Sequence, residues 1–175
     1  MSACFSHELR LDQIRSGERI DLSASDSERE AIARDLGLVS LTKLDAHAML
    51  ERTGEDVRAT GRVQAALKQA CVVTGATVAA HVDEPFDLRF VPGAHDLAAD
   101  SEIELGAEDC DVVFHDGAVI DLGQAVVDTL ALGIDPFPRS AGADAALKEA
   151  GIMTEAEASP FAALAALKGK LDSGD

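Results

Sequence analysis

The sequence predicts an α+β domain: a curved, partly open, barrel-like antiparallel β-sheet with a few helices and a flexible C-terminal tail. Three observations predict this class. Apolar and polar residues alternate over long stretches of the first half of the chain, which is the period of half-buried strands. Two other segments have apolar residues at helical spacing behind a capping residue. Past residue 139 the chain is small and polar, with little apolar material to bury.

The N-terminal third predicts a strand, a helix and a bulged strand. Alternation over residues 5 to 11 indicates a half-buried strand. Ser25 and Glu28 have capping-box spacing and predict a helix over residues 26 to 36. Between residues 38 and 50 the apolar positions form two alternating runs with a phase change, which is typical of a β-bulge.

The middle of the chain predicts a meander of antiparallel strands. Thr53-Gly54-Glu55-Asp56 is a turn signal, and period two then continues from residue 57 to residue 67. Thr74-Gly75 separates that strand from another run over residues 76 to 90. Residues 92 to 111 are rich in carboxylates and predict a loop. A brief strand inside that loop is predicted from Ile103 and Leu105.

A strand–helix unit follows the acidic loop. Asp116-Gly117 is a turn signal, and Val119-Ile120 indicates a short buried strand. Asp121 is the expected N-cap of a helix over residues 122 to 132, with Gln124 as its box partner. The following Asp135-Pro136 excludes further helical turns. The predicted buried face comprises Leu122, Ala125, Val126, Thr129, Leu130 and Gly133.

Several segments, in order along the chain, resemble the bacterial YceD family, named for accumulation of large-subunit ribosomal RNA. The most telling is Asp121-Leu122-Gly123 with its apolar helix and the exit Asp135-Pro136-Phe137-Pro138-Arg139. The other matching segments are Gln69-Ala70-Cys71-Val72-Val73-Thr74, Pro85-Phe86, Phe90-Val91-Pro92, Ser159-Pro160-Phe161-Ala162 and Leu167-Lys168. The resemblance implies a non-catalytic factor that supports large-subunit ribosomal RNA accumulation during assembly of that subunit.

The resemblance also supplies the candidate site residues: Cys71, Asp121, Leu122, Gly123, Pro136, Pro138 and Arg139. A purely structural role explains Asp121 and Gly123 equally well, as helix-capping and packing positions. Pro136 and Pro138 are equally well explained as residues that set the path of the chain after the helix. Arg139 is the first cation after a long acidic stretch. It is a candidate contact for a phosphate or for a carboxylate of a partner, and an internal salt bridge is the alternative.

Charge restricts the partners. The 175 residues include 15 Lys plus Arg against 32 Asp plus Glu, for a formal net charge of -17. No Lys or Arg occurs from Phe90 through Pro138, and Trp and Tyr are absent. Direct RNA binding is therefore disfavoured, because it needs cations on phosphates and aromatic platforms under bases. We expect a basic ribosomal protein or a large-subunit assembly intermediate as partner. A generic acidic protein-binding module unconnected with ribosomes is the competing hypothesis.

The residues favour no enzymatic chemistry. His81, His95, Cys110 and His115 are metal-ligand types, but their spacing is not that of a metal site. Some family members carry more cysteines near the central and C-terminal motifs, in sets that look metal-binding, whereas this chain keeps only Cys71 there. No nucleophile motif or phosphate loop is present. We expect no cofactor, no metal, no small-molecule substrate and no catalysis; a metal-dependent enzyme assembled from distant His and Asp residues is the remaining alternative.

Location and domain limits follow from hydropathy. No apolar run is long enough for a membrane span, no signal sequence is indicated, and the three cysteines are scattered, so we expect a cytoplasmic protein with reduced thiols. One α+β domain is predicted over residues 1 to 139, and a flexible acidic, Ala-rich tail over residues 140 to 175. Its terminal helix would dock onto its own domain or onto a partner through Phe161, Leu164 and Leu167.

Overall fold

The computed structural model describes residues 5–93 and 111–152, and the α+β class is confirmed in them. The strands are β1 (Glu8–Arg10), β2 (Glu18–Ser23), β3 (Ser40–Thr53), β4 (Asp56–Ala70), β5 (Thr77–Pro92), β6 (Val112–His115) and β7 (Val119–Asp121). The helices are α1 (Asp26–Asp35), α2 (Leu122–Gly133) and α3 (Ala143–Glu149), and one 3-10 turn spans Leu11–Gln13. The strands together contain more of the described residues than the helices do.

Five strands form one open sheet in the order β2-β3-β4-β5-β6. Strand β3 pairs antiparallel with β4, as the meander predicts, and also with β2, a strand that the sequence pattern does not predict. Strand β6 departs from the prediction, because it lies parallel to β5 and pairs only with Arg89–Pro92. Within the described residues β2 and β6 are the two edges, so the sheet is not closed into a barrel. Strands β1 and β7 form a separate antiparallel pair.

Three local signals in the first half of the chain are confirmed, whereas the strand predicted over residues 5 to 11 is limited to Glu8–Arg10. The Ser25 side chain accepts from the Glu28 N–H, and the Glu28 carboxylate accepts from the Ser25 N–H, which completes the capping box of α1. The register of β3 on β4 shifts between Leu41 and Lys43, where the phase change predicts a bulge. Gly54 has φ +68° in the turn between these strands, a conformation that favours glycine.

One hydrophobic core joins the sheet, α1 and α2. Leu50, Val57 and Val63 of the sheet are fully buried, as are Ile32 of α1 and Leu130 of α2. The predicted buried face of α2 is confirmed, with two of its members, Thr129 and Gly133, only half-buried. This burial positions α2, because an apolar helix face is stabilised mainly by packing.

The described residues group into two compact units. The first unit comprises those of Met1–Gln69 and Ala79–Pro136, and the second comprises those of Ala70–Val78 and Phe137–Asp175. The first unit holds the core and α2. The second holds the turn between β4 and β5 together with α3. The predicted domain limit after residue 139 stays a prediction.

Some predictions fall outside the described residues. These are the acidic loop with Ile103 and Leu105, the terminal helix with Phe161, Leu164 and Leu167, and the side chains of Cys4, His95 and Cys110. In the described part of the chain, no helix has both the length and the apolar character needed to cross a membrane.

Candidate functional site

Asp121 joins the start of α2 to the N-terminal segment. Its Oδ1 accepts from the backbone N–H of Gln124 at 3.1 Å, as an N-cap does, and from the backbone N–H of His7 at 2.9 Å. Its Oδ2 accepts from the Ser6 hydroxyl at 2.7 Å. One carboxylate therefore satisfies an orphan donor of the helix and also fixes a chain segment that is remote in sequence.

The predicted box partner is wrong. Gln124 directs its side-chain amide to the Asp128 carboxylate at 2.9 Å, one turn further along α2, instead of back to the N-cap. The side chain of a glutamine in the first helical turn can either accept from the N-cap N–H or donate to the i,i+4 carboxylate, and that carboxylate carries a full charge. Asp121 consequently caps α2 through its own side chain alone.

Leu122 and Gly123 complete the structural role of this motif. Leu122 is 0% exposed and lies in the core, and its N–H donates to the His7 carbonyl at 3.1 Å. A Cβ on Gly123 would lie 2.6 Å from the His7 nitrogen and 2.9 Å from the Phe5 carbonyl oxygen. Glycine is therefore required at position 123 because the N-terminal backbone passes directly over the first turn of α2.

Cys71 begins the turn between β4 and β5 and is 3% exposed. Its Sγ accepts from the Ser140 N–H at 3.2 Å, the Ser140 hydroxyl at 3.4 Å and the Thr74 N–H at 3.5 Å. The Thr74 and Ser140 hydroxyls lie 3.1 Å apart. Gly75, with φ +72°, closes the turn by donating its N–H to the Cys71 carbonyl. The sulfur is thus surrounded by donors from two segments of the second unit.

These donors stabilise the charged form of the sulfur. The Ser140 hydroxyl, then Thr74 and the Ser140 backbone, lower the pKa of Cys71 to about 6, against burial, which raises it. At neutral pH the site is then a largely covered thiolate. A thiolate is a metal ligand as well as a nucleophile, but residues 5–93 and 111–152 contain no group of three or more His, Cys, Asp or Glu placed to hold a metal ion.

The segment that follows α2 has residues in both units. Pro136 is exposed in the first unit. In the second unit Pro138 is buried, and its carbonyl accepts from the Val72 N–H at 2.9 Å, next to Cys71. Arg139 donates to the Asp144 carboxylate at 3.3 Å, so the internal salt bridge is present. Both side chains are more than half exposed, and such a pair stabilises little.

The candidate residues divide between the two units. Asp121, Leu122 and Gly123 lie in the first unit, and Cys71, Pro138 and Arg139 lie in the second. Sequence reasoning misses the contacts of His7, Thr74 and Ser140. No local spacing points to His7 or Ser140, because they lie 114 and 69 residues from the side chains they contact. The sequence places Thr74 correctly in a turn, but nothing in its spacing indicates a contact with the sulfur.

A family model described as "Large ribosomal RNA subunit accumulation protein YceD" matches residues 59–168. The chain belongs to the YceD family. The match starts within β4 and includes Cys71, all of α2 and Arg139. No curated protein and no solved structure matches the chain. For this YceD-family chain, the motif at the start of α2 has a clear structural explanation, and the family description supplies the link to large-subunit ribosomal RNA.

Proposed function

We propose that this chain supports large-subunit ribosomal RNA accumulation by binding a basic protein of the assembling large subunit, without a catalytic step. Family membership supports the ribosomal role. The arrangement of charge supports a protein as the direct partner. The proposed partner is a ribosomal protein, or the same protein within an assembly intermediate.

The observation that carries the protein partner is the pairing of cations with carboxylates of the same chain. Across the sheet, Arg58 makes a two-pronged contact with Asp87 at 2.7 and 2.5 Å. Its hydrogen bond lowers the pKa of Asp87, so the carboxylate stays charged. The ion pairs in the described residues include Arg10–Asp12, Arg19–Asp21, Arg29–Asp26, Lys43–Asp45, Arg58–Asp87, Arg62–Asp83, Arg89–Asp56 and Arg139–Asp144.

Paired cations contribute little to RNA affinity. Counterion release requires a Lys or Arg that neutralises a phosphate, and each paired arginine would first have to leave its carboxylate. The remaining carboxylates repel the phosphate backbone. Phe114 is 61% exposed beside β5, but Arg89 of that strand is bound to Asp56, so a base stacked on Phe114 would meet a cation that is already paired. The same negative field attracts basic proteins.

The experiment separates RNA from protein binding with purified components. The tagged chain is incubated at about 150 mM salt either with deproteinised large-subunit RNA or with total protein extracted from large subunits. We expect retention of one or a few basic proteins and no retention of RNA. Retention of RNA without protein would contradict the proposal, and retention of neither would favour a module unconnected with ribosomes.

A cellular measurement tests the ribosomal role itself. Removal of the gene should lower the ratio of large-subunit to small-subunit ribosomal RNA, and the intact gene on a plasmid should restore it. The same plasmid without the gene is the control, and it should leave the ratio low. An unchanged ratio in growing cells that lack the gene would contradict the proposed function.

A further inference from the structure

A groove of about 320 Å³ lies between α2 and β5 within the first unit. Buried apolar side chains line it, including Phe86 and Leu88 of β5 and Ala125 of α2. Gly133 allows α2 to lie close to β5, because a Cβ at this position would lie 2.8 Å from Val82 Cγ1. The volume has room for a few apolar side chains from another molecule.

The groove is bordered by an exposed leucine and by carboxylates. Leu132 lines it with 87% of its surface exposed, although Leu is usually buried in a helix of this kind. Glu84, Asp111 and Asp128 also line the groove, and all three are exposed. Among the described residues that line it, none is Lys, Arg or His. The groove therefore combines an apolar floor with an edge of one charge sign.

Alternation along β5 separates these groove carboxylates from the ion-paired ones. Asp83 and Asp87 point to the other face of the sheet, where they bind Arg62 and Arg58. Glu84 shares the α2 face with Phe86 and Leu88. Strand β6 pairs with β5 only along Arg89–Pro92, and its Val113 lines the groove next to Leu88 and Asp111.

We propose that this groove, formed by α2 and β5, binds a segment of the basic partner in which apolar side chains are flanked by lysine or arginine. The apolar side chains enter beside Leu132, and the flanking cations reach Glu84, Asp111 and Asp128. This proposal rests on the proposed function for the partner's identity, and it adds the surface and the chemistry of recognition. The carboxylates exclude an RNA backbone from the same surface by repulsion.

The test uses two charge variants with the same change in net charge. The groove variant is Glu84→Lys/Asp111→Lys/Asp128→Lys. The control variant is Glu8→Lys/Glu30→Lys/Glu149→Lys, at exposed positions that do not line the groove. Leu132→Ser and Val39→Ser form a second matched pair, because Val39 is 53% exposed and lies elsewhere. Urea unfolding of every variant confirms that each is folded before binding is compared.

The first probe is a fluorescent synthetic peptide of leucines and lysines, compared with a peptide in which serine replaces leucine. We expect the groove variant to weaken binding of the leucine peptide about tenfold or more, and the control variant by less than about threefold. Leu132→Ser should weaken binding where Val39→Ser does not. Equal effects of the groove and control variants, or equal affinity of wild type for both peptides, would overturn the groove proposal.

The second probe is total protein extracted from large ribosomal subunits, retained on the immobilised full chain. Loss of the retained protein in the groove variant but not in the control variant supports the groove. Undiminished retention by the groove variant keeps the proposed function and overturns the groove. If wild type retains no large-subunit protein while the peptide result favours the groove, the groove stands and the ribosomal partner is overturned.

Discussion

The backbone N–H of Ser140 lies 3.2 Å from Cys71 Sγ, although the two residues are 69 positions apart in the sequence. The Ser140 hydroxyl reaches the same sulfur. This contact attaches the chain that follows α2 to the turn between β4 and β5 within the second unit. The hydrogen bonds that Cys71 Sγ accepts from Ser140 and Thr74 therefore favour the charged form of the sulfur.

Cys71 should titrate well below an ordinary thiol. With Cys4→Ser and Cys110→Ser as background, thiolate absorbance should follow a single transition near pH 6, since Ser140 and Thr74 lower the pKa of Cys71 to about 6. Ser140→Ala should shift the midpoint upward, because it removes the hydroxyl that stabilises the anion most. A midpoint at the ordinary value of 9.0 in the background protein would contradict this account.

The same shift predicts a pH-dependent stability. Because the folded pKa of Cys71 is below the unfolded one, the unfolded chain binds the extra proton between pH 6 and pH 9. The free energy of unfolding should therefore rise with pH over that window relative to Cys71→Ser. The stabilisation that comes from the lowered pKa of Cys71 should be fully present above pH 9 and absent below pH 6. Urea unfolding under reducing conditions measures it, and parallel pH profiles for the two proteins would refute it.

Asp121→Ala should destabilise the fold by about 1–3 kcal/mol, since it removes the N-cap of α2 and the acceptor of the His7 N–H. Asp128→Ala, on the same helix, is the control. It loses only an exposed contact to the Gln124 side chain and should cost less than about 0.5 kcal/mol. Urea unfolding at neutral pH compares the two. Similar costs for both would show that the carboxylate at position 121 does not hold the N-terminal segment.

Gly123→Ala should destabilise the first unit by about 1–3 kcal/mol, because the added methyl would lie 2.6 Å from a backbone nitrogen that cannot rotate away. Gly142→Ala is the matched control, since nothing lies within 4 Å of the position its Cβ would take. We expect the control to change stability by less than about 0.5 kcal/mol. Thermal unfolding distinguishes the two, and a neutral Gly123→Ala would mean that the N-terminal segment moves freely from α2.

Local patterns predict most of the fold. Alternation defines β4 because one face of that strand is buried, and the Ser25–Glu28 spacing defines the start of α1 because both hydrogen bonds of a capping box are local. The failure at Gln124 has the same origin. Its sequence spacing allows the side chain either to accept from the N-cap N–H or to donate to a carboxylate four residues later, and only the structure shows that it donates to Asp128.

Long-range relationships cannot be predicted from these local patterns. The parallel pairing of β6 with β5 is a contact between segments that are not adjacent in sequence, so it leaves no periodic signal. The contacts of Asp121 with His7 and of Cys71 with Ser140 depend on the same kind of remote placement. The sequence predicts the core face of α2 and the strand β5, but it does not predict the groove between them. The groove depends on which side of α2 the sheet covers, and that placement leaves Leu132 exposed.

We propose that this YceD-family chain supports large-subunit ribosomal RNA accumulation through a protein partner. The most direct measurement is recovery of the functional tagged chain from gently lysed growing cells, with and without ribonuclease, reading both RNA and protein. We predict large-subunit RNA and basic ribosomal proteins without ribonuclease, and the same proteins after ribonuclease treatment. Loss of every ribosomal protein on ribonuclease treatment would contradict the claim, as would recovery of neither large-subunit RNA nor its proteins.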